Sequence, residues 1–375
     1  MTKAGVAPSA KHFPGHGDTH VDSHISLPII SKDANSLEQN DLIPFRAACD
    51  AGAASIMIGH IALPSLTGDT VPASLSSAVI GGLLRESLAY DGVAVTDCLE
   101  MAAIAERPGG VPSAAVDALR AGADIAMICH RIDRQRDALE AVYGAIQGGA
   151  LGRDALRASG RRIAAMKDVF AGRWEQVLGS EFDKARWARL KAEHAVLSRN
   201  AYASSIALVR NPPAAVAVIP LPKSGPVVVL TPGMESLKTL VESVGRRVGG
   251  GDASVVPAVY SPVKKIVGAE LQNSIVHATS VLFVTRNTQS SPWQLDQLRE
   301  VIWLRKDSRR VVVLATRGPY DLLTADIEGL RDVAYVACFE YTVGALDAAV
   351  AVIFGEEVAK GTVPVCGGNV RPELN

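Results

Sequence analysis

Short aliphatic runs recur along this chain, each preceded by a stretch that reads as an amphipathic helix, and nothing else limits its folding as tightly. AASIMIGHI, VAVTD and IAMIC are brief and almost continuously apolar. That is the pattern of strands buried on both faces. SLEQNDLIPFRAACDAG, PASLSSAVIGGLLRESLAYDG and VPSAAVDALRAGAD carry apolar residues at helical spacing. In the first of these, Ser36 or Asp41 would cap the helix and Gly52 would stop it. Such alternation calls for a parallel sheet or barrel, because parallel neighbours need a crossover between them. From Arg131 to Asn200 the sequence reads as charged closing helices and a linker. After the proline-rich VRNPPAAVAVIPLPKSGP, the runs VVVLTP, SVLFVTRN, RRVVVLAT and VAYVACF predict a second α/β unit. Its late helix, ALDAAVAVIFG, would stop at Gly355. The expected division is a first domain over 1–175, a helical linker over 176–210 and a second domain over 211–375.

Charge narrows the function classes. Lys and Arg number 38 against 39 Asp and Glu, a formal net charge of −1. This lacks the basic excess of a nucleic-acid binder. No run approaches the ~18 apolar residues of a membrane span, and MTKAGVAPSA has no apolar core of a signal peptide. A cytoplasmic protein with no nucleic-acid or membrane partner is expected. Cys49, Cys98, Cys129, Cys338 and Cys366 form no CxxC pair, and five is an odd number. Free thiols in a reducing compartment follow. The glycines of VGRRVGGGDAS lack a following Lys-Ser/Thr and read as a turn, not a phosphate cradle.

Candidate chemistry concentrates in two places. KHFPGHGDTHVDSH places histidines at positions 12, 16, 20 and 24. Pro14, Gly15 and Gly17 prevent a helix from stacking them on one face. A metal-binding loop, a histidine-rich surface loop and a catalytic loop all remain open. Asp22 and His24 support the last: histidine exchanges protons near neutrality, and a nearby carboxylate can orient one ring nitrogen and stabilise the imidazolium. Ser23 lies between them, but its side chain points the other way in an extended segment. In GVAVTDCLEM, Asp97 follows a strand directly, at the end of parallel strands where chemistry sits. It could equally cap the next helix. Cys98 has no basic neighbour in sequence to activate it.

Taken together, KHFPGHGDTHVDSH, IMIGHI, PASLS, LLRESLAYDGVAVTDCLEM and AGADIAMI resemble glycoside hydrolase family 3, most closely its β-N-acetylglucosaminidase branch. VVVLATRGPYDLL, YVACFEYTVGALDAAVAVIFGE and AKGTVPV resemble the α/β domain attached to many members. The resemblance implies a retaining glycosidase that removes terminal β-linked N-acetylglucosamine through a covalent glycosyl-enzyme. Asp97 would be the nucleophile and His24 the acid/base, with Asp22 as its partner. Lys11 and His12 would hydrogen-bond sugar hydroxyls, His16 would belong to the loop scaffold, and His20 would be incidental. A small N-acetylglucosaminide is the implied substrate, and neither cofactor nor metal is implied. A neutral imidazole tolerates an anionic acceptor, so a phosphorylase is the alternative activity, and a truncated, non-catalytic binding protein is another alternative. Glucosidases of the family that lack the D-x-H loop are a poorer fit.

Members carry the KHFPGHG block past the middle of a (β/α)8 barrel of roughly 250 residues, whereas here it starts at Lys11. The expected fold is therefore α/β: the C-terminal half of a (β/α)8 barrel, followed by a second, sandwich-like α/β domain with a parallel or mixed sheet. The family's sugar-gripping Asp and Arg, from the first barrel half, have no visible counterpart. Exposed sheet edges and apolar faces favour self-association.

Overall fold

The computed structural model describes residues 1–19, 26–172, 175, 178–179, 181–212, 218–249, 255–263, 268–306, 310–322, 330 and 333–364. The chain divides into two compact units, Met1–Phe182 and Asp183–Asn375. In the first, β1 (Ser9–Phe13), β2 (Ser55–Ile58), β3 (Val93–Cys98) and β4 (Ile125–Met127) form one sheet in chain order. All three pairings are parallel. Sequential parallel strands with helical crossovers are the winding of a (β/α)8 barrel, seen here over four strands. The crossovers carry α1 (Ile43–Asp50), a π-wound segment (Ala78–Ser87) and α2 (Gly110–Ala121); α3 (Ile132–Gln147) and α4 (Arg153–Phe170) follow β4.

Two local expectations are corrected. Ser36 and Asp41 do not cap the helix before β2. The side chain of Asp33 accepts the Ser36 N–H, while Asp41 turns to Lys32, whose Nζ lies 2.9 Å from Oδ2. The helix expected over PASLSSAVIGGLLRESLAYDG breaks into a 3-10 turn (Ala73–Leu75) and the π-wound segment. Gly81 and Gly82, poor helix formers, sit in the middle of that segment. Nor was β1 apparent in the sequence, because its last residues run into a Pro-Gly turn. Ser9 pairs with Ser55 and Phe13 with Ile58, and the register slips between Ala10 and Phe13. The Lys11–His12 and Phe13–Pro14 peptide bonds are cis.

Phe13, Ile56, Ile58, Ile80 and Ala94 are completely buried in the core of this unit. Phe13 meets Phe45 edge-on, with ring centroids 5.2 Å apart. At the N-terminal end of the strands, buried Asp124 binds Arg85 Nη2 at 2.6 Å, Arg162 Nη2 at 2.8 Å and the Ala94 N–H at 2.9 Å. Arg85 also donates to the carbonyls of Tyr90 and Gly92. One carboxylate therefore joins the Ala78–Ser87 segment, the start of β3 and α4. Burial alone would raise the Asp124 pKa, but hydrogen bonds from Arg162, Ser159 and the Ala94 N–H, with the charge of Arg85, hold it below 3.8.

The second unit is a six-stranded sheet in the order β5-β10-β9-β8-β6-β7. Its strands are β5 (Ala207–Arg210), β6 (Val227–Thr231), β7 (Val255–Val259), β8 (Ser280–Thr285), β9 (Val311–Ala315) and β10 (Ala334–Ala337). Among the described strands only the β5–β10 pairing is antiparallel. Alternate residues feed two cores. Val227, Val229, Leu282 and Leu314 face α6 (Leu237–Gly245) and α9 (Val343–Ile353), through Leu240 and Leu346. Val228, Leu230, Phe283 and Val313 face α7 (Ala269–His277) and α8 (Trp293–Arg305), through Ile275 and Leu298. Burial on both faces is why these strands read as unbroken apolar runs. Gly355 ends the late helix with φ +71°. The stretch 176–210, expected as a helical linker, contains α5 (Lys184–Ser205) and then β5, which belongs to the second sheet. Among the described residues no helix is long and apolar enough to cross a membrane.

Replacing Asp124 by Ala strands two arginines in a closed site. The first unit should lose about 3–5 kcal/mol in denaturant unfolding. Because the folded pKa is depressed, the contribution of Asp124 is full above its unfolded value near 3.8 and vanishes as pH falls through the folded value. Acid unfolding of Asp124→Asn should therefore be flatter below pH ~4 than that of the native chain.

Candidate active site

Asp97 occupies the C-terminal end of β3, at the mouth of the sheet. The side chain does not cap a helix: the next helix, Ala102–Ala105, has Met101 at its N-cap. Instead Asp97 Oδ1 accepts the Cys98 N–H at 2.7 Å, and Oδ2 lies 3.4 Å from His12 Nδ1. The Asp97 side chain keeps 19% exposure and that of His12 26%, so both are reachable from solvent. His12 arrives from β1, two strands away, and the approach is tight. A Cβ at Gly59, just after β2, would stand 3.1 Å from His12 Cβ. With any larger residue at 59, the His12 side chain would have to give by a few tenths of an ångström.

Beneath this pair is a residue the sequence analysis had not singled out. His60 is fully buried, with Nε2 2.9 Å from the Cys98 carbonyl and Nδ1 2.8 Å from Ser74 Oγ. A carbonyl can only accept, so Nε2 carries the proton and Nδ1 accepts from the serine hydroxyl. Burial pushes the His60 pKa below 6.5, with His12 and His16 nearby acting the same way and outweighing the pull of Cys98 and Asp97. The ring is therefore neutral and keeps one tautomer. Its donor fixes the residue whose N–H orients Asp97. The available signal was the blocks IMIGHI and PASLS, each supplying one polar residue beside a buried run.

Glu100 was missed as well. Its Oε2 accepts the N–H groups of Cys129 (3.0 Å) and His130 (2.6 Å), and Oε1 accepts that of Arg131 (3.2 Å). Burial opposes ionisation, but these three N–H groups outweigh it and hold Glu100 below 4.5. Thr96 Oγ1 accepts the Met127 N–H at 3.0 Å. Together they tie the ends of β3 and β4.

Lys11 lies on β1 and is exposed. The ring of His16 is 6.1 Å from that of His12, edge-on. Asp22 and His24, like His20, lie outside the described residues, but both flanks of their segment are anchored. On one side Gly15, with φ +134°, packs against Asp41 closely enough that a Cβ would stand 2.7 Å away. Lys32 Nζ joins Asp41 to Asp18, at 2.9 Å and 3.4 Å. On the other side Ile30 N–H donates to the Ala62 carbonyl and Ala62 N–H to that of Pro28, both at 2.9 Å. A cavity of about 690 Å³ lies at the other end of the strands, lined by Ala54, Gly92, Arg162 and Met166. It is far from the reactive groups, and in barrels chemistry sits at the C-terminal mouth.

The arrangement offers one oriented, partly exposed carboxylate beside an imidazole. Such a group can attack an electrophilic carbon or stabilise a developing cation. A family model described as the glycosyl hydrolase family 3 N terminal domain matches residues 1–166. β-Hexosaminidase A of Pseudoalteromonas piscicida is 38% identical over 181 residues, covering 44% of this chain and 30% of that protein. A family 3 β-N-acetylglucosaminidase from Paenibacillus sp. str. FPU-7 aligns in structure with a TM-score of 0.75 at 30% identity, over 96% of this chain and 68% of that one. A fungal multi-domain family 3 β-N-acetylglucosaminidase gives 0.83 at 32% identity, over 98% of this chain and 42% of that one. The match thus spans less than a third of the bacterial hexosaminidase and under half of the fungal enzyme.

Substituting His60 tests the buried relay. His60→Leu leaves the Cys98 carbonyl and the Ser74 hydroxyl without their partner and should cost about 1–3 kcal/mol. The folded pKa of His60 is depressed, so the unfolded chain binds more protons below about pH 6.5. Native stability should decline as pH falls through that region toward the folded value, and His60→Gln should lose that part of the slope in melts taken across it.

Proposed function

The chain belongs to glycoside hydrolase family 3, and on that footing we propose that it is a retaining glycosidase removing terminal β-linked N-acetylglucosamine. The observation that carries this reading is the Asp97 carboxylate at the end of β3, aimed by the Cys98 N–H and faced by His12. In the first step an Asp97 oxygen attacks the anomeric carbon. The bond to the leaving oxygen breaks, and His24, oriented by Asp22, supplies the proton that oxygen needs. In the second step His24 takes a proton from water as the water oxygen attacks the same carbon. The glycosyl ester breaks and the carboxylate is restored. Two displacements on one carbon retain the β configuration.

Lys11 and His12 would hold sugar hydroxyls at the entrance, His12 also keeping Asp97 company between turnovers. Support for the substrate class comes from the relatives: the Pseudoalteromonas protein is named a β-hexosaminidase and the Paenibacillus enzyme a β-N-acetylglucosaminidase.

Release of nitrophenol from its β-N-acetylglucosaminide, with and without phosphate, tests the proposal. Asp97→Asn should lose at least roughly 10³-fold in turnover while keeping its melting temperature. Equal turnover in that variant would sink the nucleophile assignment. A phosphate-dependent rise in rate, with a sugar phosphate as product, would replace hydrolysis by phosphorolysis. No turnover from folded protein would favour a binding role. His24→Ala should lose about 10²–10⁴-fold on a disaccharide and much less on the nitrophenyl glycoside, whose leaving group needs little protonation.

A further inference from the structure

The ends of β3 and β4 bring together four donor side chains that the proposed glycosidase chemistry leaves unused. Cys98 and Glu100 come from the turn after β3, and Cys129 and His130 from the turn after β4. One ligand atom each from Cys98, Glu100 and His130 lies within 4.8 Å of the other two. Cys98 Sγ is 3.8 Å from Glu100 Oε2. The Cys129 thiol lies beside this group, within hydrogen-bonding reach of the Cys98 thiol. Cys98 is buried, whereas Cys129 and His130 are exposed, so the cluster opens to solvent on one side.

We propose that Cys98, Cys129, Glu100 and His130 form a binding site for a thiophilic divalent cation of the zinc type. Two sulfurs, one imidazole nitrogen and one carboxylate oxygen are a four-donor set that zinc takes in tetrahedral geometry. Sulfur and imidazole donors disfavour magnesium and calcium, which prefer oxygen. With metal–ligand bonds of ~2.0–2.3 Å, neighbouring donors on a tetrahedral ion stand about 3.3–3.8 Å apart. Glu100 is already oriented by three backbone N–H groups, the support a ligating carboxylate needs. Arg134, 3.8 Å from Oε1, lies on the oxygen away from the Cys98 sulfur. The carboxylates of nearby Asp97 and Glu100 give the site negative charge that attracts a cation. The ion would clasp the two turns together one residue from Asp97.

Cadmium is the probe, because its thiolate complexes absorb in the ultraviolet. Titration of the intact chain should give one equivalent of bound cadmium with a two-thiolate charge-transfer band that zinc displaces. Cys129→Ser, at an exposed position, should halve the band, and His130→Ala should weaken binding at least tenfold while leaving the band shape intact. Zinc should raise the melting temperature of the native chain but not of Cys129→Ser. No band under excess cadmium would overturn the site. So would a full-intensity band in Cys129→Ser, because the metal would then be held by Cys49, Cys338 or Cys366.

Discussion

The first unit turns on the two backbone polar groups of Cys98. Its N–H holds the Asp97 carboxylate, and its carbonyl accepts from a histidine sealed in the core. Neither contact involves a flexible side chain reaching from the surface. A carboxylate set by a local N–H, on a residue locked from behind by a neutral imidazole, loses little freedom when a reaction demands one geometry. The strands deliver the rest. β1 presents His12 to the same point, where Gly59 spares it a tight Cβ contact.

Much of this was legible in the residues and some was not, for identifiable physical reasons. Strands β3, β6, β8 and β9 announce themselves because most of their residues are aliphatic and buried. β7 escaped because it is an edge strand containing Pro257, paired with Val229. β5 escaped because it is four residues long, ends in Arg210 and runs against its neighbour. β1 escaped because its polar residues look like loop. Asp97 stood out through its place after a strand, and it took coordinates to show that it caps no helix. The role of His60 needed the fold. Its partners, Ser74 and Cys98, lie 14 and 38 residues away, and only the fold makes them neighbours.

The two units solve different problems with the same alternation. In the second, a sheet with a core on each face needs helices on both sides, and α6 and α9 are further joined through Asp347. Burial would raise that carboxyl, but Arg247, Ser243 and Arg246 hold it at about 2. In the first unit the comparable charge cluster, Asp124 with Arg85 and Arg162, is at the foot of the strands. The mouth is left to groups whose protonation and exposure matter for chemistry.

That separation is short in distance and large in effect. Ala94, bonded to Asp124, and Asp97 are three residues apart on β3, about 10 Å at the rise of a strand. Exposed turn residues at the mouth can therefore change without touching the Asp124 cluster at the foot. A lineage built on this scaffold could alter what the mouth binds through drift confined to a few loop residues. The foot of the strands would meanwhile tolerate almost no drift.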